Sequence, residues 1–561
     1  MFRLNDVENV QMSLISKENE WSEYMKKRIE KSWAGYFRNN ILPNIDESEY
    51  KVLYSEKSSR PNTPVNYMIG LLIIKALNNL SDDELLDDAL FNQKVQYALG
   101  TIDYDKQPIS KNMISNFRVR IYEYEKETGI NLFENTMNKI NEKIIETSNI
   151  DKSLKRMDSL MISSSCKKMT RTELVYKVNE RFIKMLSKNQ KEIDDELKNY
   201  LKEENAVDVL YRIKEEEIGG KLTSLLNDSI KLYNKYKEDK EIIETEEFKQ
   251  LKRLIEDQYD ETKKKPKDGK KIKPTSMQTP YDEDSTYRFK YKGNIGYVGN
   301  IEEAVDTKKE LALITDWDVA PNVKSDKEFM EEKIEKKETD DIETIIVDAA
   351  YYSTELNEKA KEKNIQLHPT DMTGKKDIKE TNLDEFEFEE NNKITKCPAG
   401  NEPIESKYSE SKNMVYADFD KETCMKCPYY EKCAVQKYST KTKLSTSIGQ
   451  IEFAKLRKNR NTEEYKKISR LRSGIEGIPS VLRRKYRIDD RKTKGVVCLK
   501  IKLSSTIISI NIKRMVKYMT KILCNKMILK LKQEFYFFLE KVGNKTPVFL
   551  FTIIFEFQFM G

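Results

Sequence analysis

One histidine, His368, stands in a chain of 561 residues. A single imidazole excludes Ser-His-Asp and Cys-His chemistry unless it runs through that one residue. In "LHPTDM", beside a short strand, His368 reads as structural. Glycine is sparse, 18 in all, and no G-x-G-x-x-G or phosphate-cradling loop occurs. "GNIGYVGN" has scattered glycines without that spacing, so no nucleotide cofactor is expected. No run approaches the roughly 18–20 apolar residues that span a bilayer. The nearest, "VFLFTIIFEFQFM", is short and holds Glu556. The first residues lack the apolar centre of a secretory signal. No membrane partner and a cytoplasmic, reducing setting follow as expectations. There, clustered cysteines point to metal before disulfide.

Charge is what the chain has in quantity, with 101 Lys and Arg against 95 Asp and Glu. The balance of +6 decides little, but its distribution decides more. Residues 451–500 hold 16 basic side chains against 6 acidic ones. Such a block fits a polyanion, and its plainer reading is a solvated helix face. The aromatic content of 10% is too high for a disordered chain. The length allows several domains with packed cores.

Along the chain, residues 1–150 read as helical. "NNLSDDELLDDAL" carries a capping box, Ser81 with Glu84. "ISKNMISNFRVRIYEYEKETG" is a further helix bearing Arg118 and Arg120. "KRMDSLMISSS" alternates as a strand, and a charged helical stretch follows to about 262. "STYRFKYKGNIGYVGNIEEAVD" reads as a hairpin; "ELALITDWDVAP", "IETIIVDAAYYS" and "IQLHPTDM" read as strands, the last two around a helix. Residues 375–450 read as polar and irregular, and helices run from about 451 to 540. Late alternation of strand and helix argues for an α/β sheet.

Three acids interrupt this pattern. Asp158 lies inside the first strand, where an unpaired charge is costly to bury. Asp348 ends a later strand, where open α/β sheets bind ligands. Glu476 lies in the Arg-rich "SRLRSGIEGIPSVLRRKY". Each has a plainer reading: a hydrogen-bonded acid, a helix cap, and an i, i+4 partner of Arg472. Taken together they suit oxygen-liganded Mg²⁺ or Mn²⁺. Two such ions stabilise the attacking and leaving oxygens of a phosphodiester.

In combination the segments resemble those of bacterial insertion-sequence transposases of the DDE superfamily. The resemblance rests on "MDSLMI", "YRFKYKGNIGYVGNIEEAVD" with "ALITDWDVAPNVKSD", "VDAAYYS", and "RLRSGIEGIPSVLRRKYRIDDRKTKG". It covers roughly residues 40–515. It implies an RNase H-like mixed sheet with insertions, a helical N-terminal domain and a helical C-terminal segment. It implies Asp158, Asp348 and Glu476 as catalytic residues holding two Mg²⁺ or Mn²⁺. It further implies metal-dependent cleavage of double-stranded DNA at element ends and transfer of the freed strand to a target. A homodimer would hold the two ends, in a nucleoid-associated setting. The related signature Y-x2-R-x3-E-x6-K is met at Arg472 and Glu476; Ser469 stands for its tyrosine and Arg483 for its lysine. Two alternatives are a metal-dependent nuclease without strand transfer and an inactive DNA-binding remnant.

Arg472, Arg483, Arg484, Lys485, Arg487, Arg491, Lys492 and Lys494 form a basic stripe suited to phosphates, and Arg118 and Arg120 could read terminal repeats. Cys397, Cys424, Cys427 and Cys433 have spacing suited to a structural Zn²⁺. The resemblance adds that such transposases often carry a Cys-rich insertion before the final Glu. The expected division is a helical DNA-binding domain at 1–150 and a catalytic core at 151–374, with a helical insertion at about 170–275. The Cys-rich insertion at 375–450, the final-Glu segment at 451–520 and a tail at 521–561 complete it.

Overall fold

The computed structural model describes residues 2, 4, 16–55, 62–104, 107, 109–110, 112–202, 209–210, 214–290, 292–336, 341–370, 383–389, 393–459, 462–489 and 495–542. They form two compact units, residues 150–503 and a discontinuous one made of 1–149 with 504–561. Arg491, Lys492 and Lys494 of the basic stripe, and the apolar run after residue 547, lie outside the described residues.

The discontinuous unit is helical. Its helices include α1 (Glu23–Glu30), α2 (Trp33–Asn40), α3 (Val65–Asn78), α4 (Asp82–Phe91), α5 (Gln93–Ala98), α6 (Met113–Thr128) and α7 (Leu132–Ser148). α3 is apolar nearly all round and buried over most of its length. Asn79 ends it in the left-handed conformation, and the Ser81–Glu84 capping box starts α4. The chain returns to this unit at Ser504, inside a long helix that begins at Val496 and runs to Val542. Buried polar groups on that return find partners: Ser509 Oγ donates to the Ile73 carbonyl at 3.2 Å, and Asn511 Nδ2 to Asn141 Oδ1 at 2.7 Å.

The other unit is built on a six-stranded sheet. Its strands are β1 (Leu154–Ser163), β2 (Thr286–Lys290), β3 (Lys292–Asp306), β4 (Leu311–Pro321), β5 (Thr344–Asp348) and β6 (Gln366–Thr370). β3 is antiparallel to β2, β4 and β1, whereas β1, β5 and β6 run parallel. β2 and β4 take successive parts of β3. At the changeover stands Gly296, with φ +150°, where a Cβ would lie 2.2 Å from the Ile162 carbonyl oxygen. Two helices, α11 (Asp326–Glu335) and α12 (Thr354–Glu362), contribute to a core with Met157, Ile345 and Val347.

Between β1 and β2 the helical insertion, α8 (Arg171–Lys188), α9 (Ile218–Tyr236) and α10 (Glu246–Gln258), packs its own core around Phe182, Leu226 and Leu251. Residues 375–450 depart from the irregular reading. Glu405–Ser409, Met414–Phe419, Gln436–Lys437 and Thr442–Ser447 pair into an antiparallel sheet. "MVYADF" and "TKLSTS" alternate buried and exposed positions, which is the period of a strand lying on a core. After it come α13 (Ile448–Asn459), α14 (Glu463–Leu471) and α15 (Ser473–Arg484). Among the described residues no helix is long and apolar enough to cross a membrane.

Candidate active site

Adjacent parallel strands supply two of the acids. Asp158 lies midway along β1, and Asp348 is the last residue of β5. Each carboxylate accepts from the next backbone N–H: Asp158 from Ser159 at 3.0 Å, and Asp348 from Ala349 at 2.6 Å. Asp348 therefore also acts as the cap of the turn after its strand, as its plainer reading required. Glu476 comes from the first turn of α15.

A single guanidinium meets all three. Arg472 Nη1 donates to Glu476 Oε1 at 2.5 Å, while its Nη2 lies 3.7 Å from Asp158 Oδ1 and 4.0 Å from Asp348 Oδ2. Arg472 is only 8% exposed, at the junction where α14 ends and α15 begins. Burial pushes the Asp158 carboxyl up to about 6; Arg472 pulls it down, and Asp348 and Glu476 push it further up. The sequence pattern thus brings together the three acids and Arg472.

The junction is held by residues that the sequence alone did not single out. Arg156 is two residues before Asp158, so both point to one face of β1. Its Nε donates to Glu303 Oε2 at 2.7 Å, and its Nη1 to the Leu471 carbonyl at 2.5 Å. Gly474 lies against the same guanidinium; a Cβ there would stand 2.2 Å from Arg156 Nη1. On the neighbouring face Lys155 and Lys333 pair with Glu302 at 2.6 and 2.9 Å. Two basic residues side by side in β1, with two adjacent glutamates in its partner, were the available signal. Buried charges persist when paired.

The preceding helix is fastened to β6. His368 Nε2 and Ser469 Oγ are 2.9 Å apart, and the imidazole lies 3.8 Å, centroid to centroid, from the ring of Tyr465. Tyr465 hydrogen-bonds the Pro369 carbonyl. Burial holds the His368 imidazole down at about 4. Ser469, in the signature's tyrosine position, is engaged inside this contact.

The remaining basic residues separate. Arg483 donates to the Met161 carbonyl at 2.7 Å and to Asp489 at 3.2 Å. Arg484, Lys485 and Arg487 are exposed on the same segment. Arg118 makes two hydrogen bonds to Asp82, at 2.7 and 3.0 Å, and Arg120 lies 4.8 Å from the ring of Tyr54.

Among the described residues no three His, Cys, Asp or Glu side chains stand at metal-ligating distances. The three acids nevertheless fit a hard divalent cation in kind. They are all oxygen donors, Asp158 is half-buried, and one positive group already lies within ion-pair distance of each. Cys397, Cys424 and Cys433 pack against the core of Phe419, Val435 and Leu444. Burial pushes the Cys424 thiol up, and its neighbours Cys397, Cys433 and Cys427 push it further.

Two family models match the chain: "Transposase domain (DUF772)" over residues 26–120 and "Transposase DDE domain" over residues 396–516. No curated protein and no solved structure matches. The second match contains Arg472 and Glu476, and Asp158 and Asp348 lie before it. Together the matches mark an insertion-sequence transposase of the DDE type. Such domains in general use divalent metal ions.

Proposed function

We propose that this transposase cuts DNA at the ends of its element and joins the freed strand to a target, with Asp158, Asp348 and Glu476 as the catalytic carboxylates. The contact of one guanidinium with all three acids carries this reading. The strand order β4-β3-β1-β5-β6, antiparallel then parallel, supports an RNase H-like core. Asp158 and Asp348 are presented by neighbouring strands, and Glu476 by a helix anchored to β1 through Arg156. These three would hold two Mg²⁺ or Mn²⁺. When bound, the cations supply charge neutralisation at the scissile phosphate and activation of the attacking oxygen.

The chain's own part is to position. Arg156 holds the C-terminal end of α14 at Leu471, and His368 packs along the helix against Tyr465 and Ser469. Arg472 balances three negative charges that would otherwise repel. Arg484, Lys485 and Arg487 offer exposed cations to the backbone of the bound duplex. The first step breaks a phosphodiester with water and leaves a 3′-OH; the second forms a new phosphodiester from that 3′-OH and breaks one in the target. A dimer would hold both element ends.

The experiment is cleavage of a labelled duplex carrying the DNA that flanks this gene, with wild type and Asp348→Ala, in Mg²⁺ and in EDTA. Metal-dependent nicking at one position, lost in the variant, is expected. Full cleavage by Asp348→Ala would sink the assignment. Joined products with a defined end separate a transposase from a nuclease that only cuts.

A further inference from the structure

The helical unit contains a cleft of about 850 Å³ between α1 and the α4–α5 corner. That is ample for a nucleotide-sized group. Its lining includes Arg28, Lys31 and Lys94 and no carboxylate. Among the described residues none of these three cations has an acidic partner, in a unit where Arg118, Lys75, Arg38 and Lys139 all do. Lys94 is half-buried, with its ammonium 5.2 Å from the ring centre of Trp33. Burial, with the nearby Arg28 charge, pulls that ammonium down. Unpaired like charges gathered at a concave surface are relieved by an anion.

Beside them stands Phe91, 79% exposed. The ring sits on a braced corner. The Asn92 side chain accepts from the Lys94 N–H at 3.0 Å, and Gln96 Nε2 donates to the Leu90 carbonyl at 2.8 Å. Trp21 and Met25 add apolar surface to the same cleft. Cations that take phosphates, next to a rigid exposed ring, form the combination that holds nucleic acid with an unstacked base.

We propose that this cleft seats the end of the element DNA, with Arg28, Lys31 and Lys94 on successive phosphates and Phe91 stacked on a base displaced from the duplex terminus. The proposal rests on the transposase reading above and moves the N-terminal DNA contact to this cleft, away from Arg118 and Arg120. Those two side chains are engaged with Asp82 and Tyr54.

The test is binding of the full chain, in EDTA, to a duplex carrying the DNA that flanks the gene, with 2-aminopurine as its terminal base. EDTA removes catalysis from the readout. Lys31→Glu with Lys94→Glu should weaken binding at least tenfold and lower the slope of log affinity against log salt by about 2. Phe91→Ala should leave that slope unchanged, weaken binding about 5- to 100-fold, and abolish quenching of the 2-aminopurine. Lys188→Glu, an exposed charge reversal in the other unit, should match wild type. Matching thermal melts establish folding; should Lys94→Glu fail to fold, Lys31→Glu alone should give about half the change in slope. Wild-type affinity and slope in the lysine variants would overturn the cleft while leaving the transposase reading intact. No duplex binding by wild type would overturn both.

Discussion

Arg472 and Glu476, one helical turn apart, share a 2.5 Å hydrogen bond, and the same guanidinium reaches two aspartates from separate strands. A divalent cation at the three acids therefore meets a resident positive charge. Arg472→Ala should bind Mn²⁺ about tenfold more tightly, as removal of one like charge near 4 Å implies. It should also cut DNA at least tenfold more slowly, because Glu476 loses its brace. Mn²⁺ titration followed by electron paramagnetic resonance measures the first effect, and a nicking assay the second. Unchanged Mn²⁺ affinity would refute the competition.

Asp158 trades stability for chemistry. Burial raises its carboxyl to about 6, above its ordinary value, so its charged form is disfavoured in the folded chain at pH 7. A raised acid pKa lowers folding stability as pH climbs from the unfolded value toward 6, and the cost is in full force above that. Asp158→Asn should therefore gain about 1–3 kcal/mol in metal-free buffer at pH 7, less at pH 4, while losing cleavage. Denaturant titrations at the two pH values, without metal, decide it; equal stability at both would contradict the burial argument.

Gly474 gives a geometric test. A Cβ at this position collides with Arg156, which anchors the α14–α15 junction. Gly474→Ala should shift Glu476 and reduce cleavage roughly 10²-fold, the scale set by small misplacements of catalytic groups. DNA affinity in EDTA should stay within about twofold, an effect small beside one lost phosphate contact. Cleavage at the wild-type rate would show that the junction has slack.

His368 predicts an acid-sensitive step. Its imidazole is held at about 4, below the ordinary 6.5. Between those values the folded chain keeps it neutral while the unfolded chain protonates it. Stability is thus lost as pH falls from about 6.5 toward 4. His368→Gln should flatten this part of the melting-temperature profile. An identical profile in both proteins would assign the acid sensitivity elsewhere.

Much of this was legible where one periodicity dominated. The β1 pattern around Asp158, the β2–β3 hairpin, the Ser81–Glu84 cap and the Arg472–Glu476 spacing were all readable in the chain. The sheet within 375–450 was missed because short strands separated by polar turns gave little weight to a clear alternation in "MVYADF". Arg156 and Glu303 escaped notice because a charged residue in a strand looks like a solvent-facing one until its partner is known. The pairing of Arg118 with Asp82 was hidden for the same reason. Cysteine spacing placed four thiols in one segment, and the fold sets Cys424 near the other three; the apolar core of Phe419, Val435 and Leu444 beside them was not readable from spacing.

Chain order adds a constraint on synthesis. The helical unit needs Ser509 against Ile73 and Asn511 against Asn141, contacts that join the first 149 residues to those after 503. Since domains form from the N-terminus as the ribosome delivers them, the first helices must wait without these partners while all of residues 150–503 emerges. The unit that begins first is therefore completed last, and a nascent chain halted before residue 504 leaves a finished sheet attached to an unfinished helical unit.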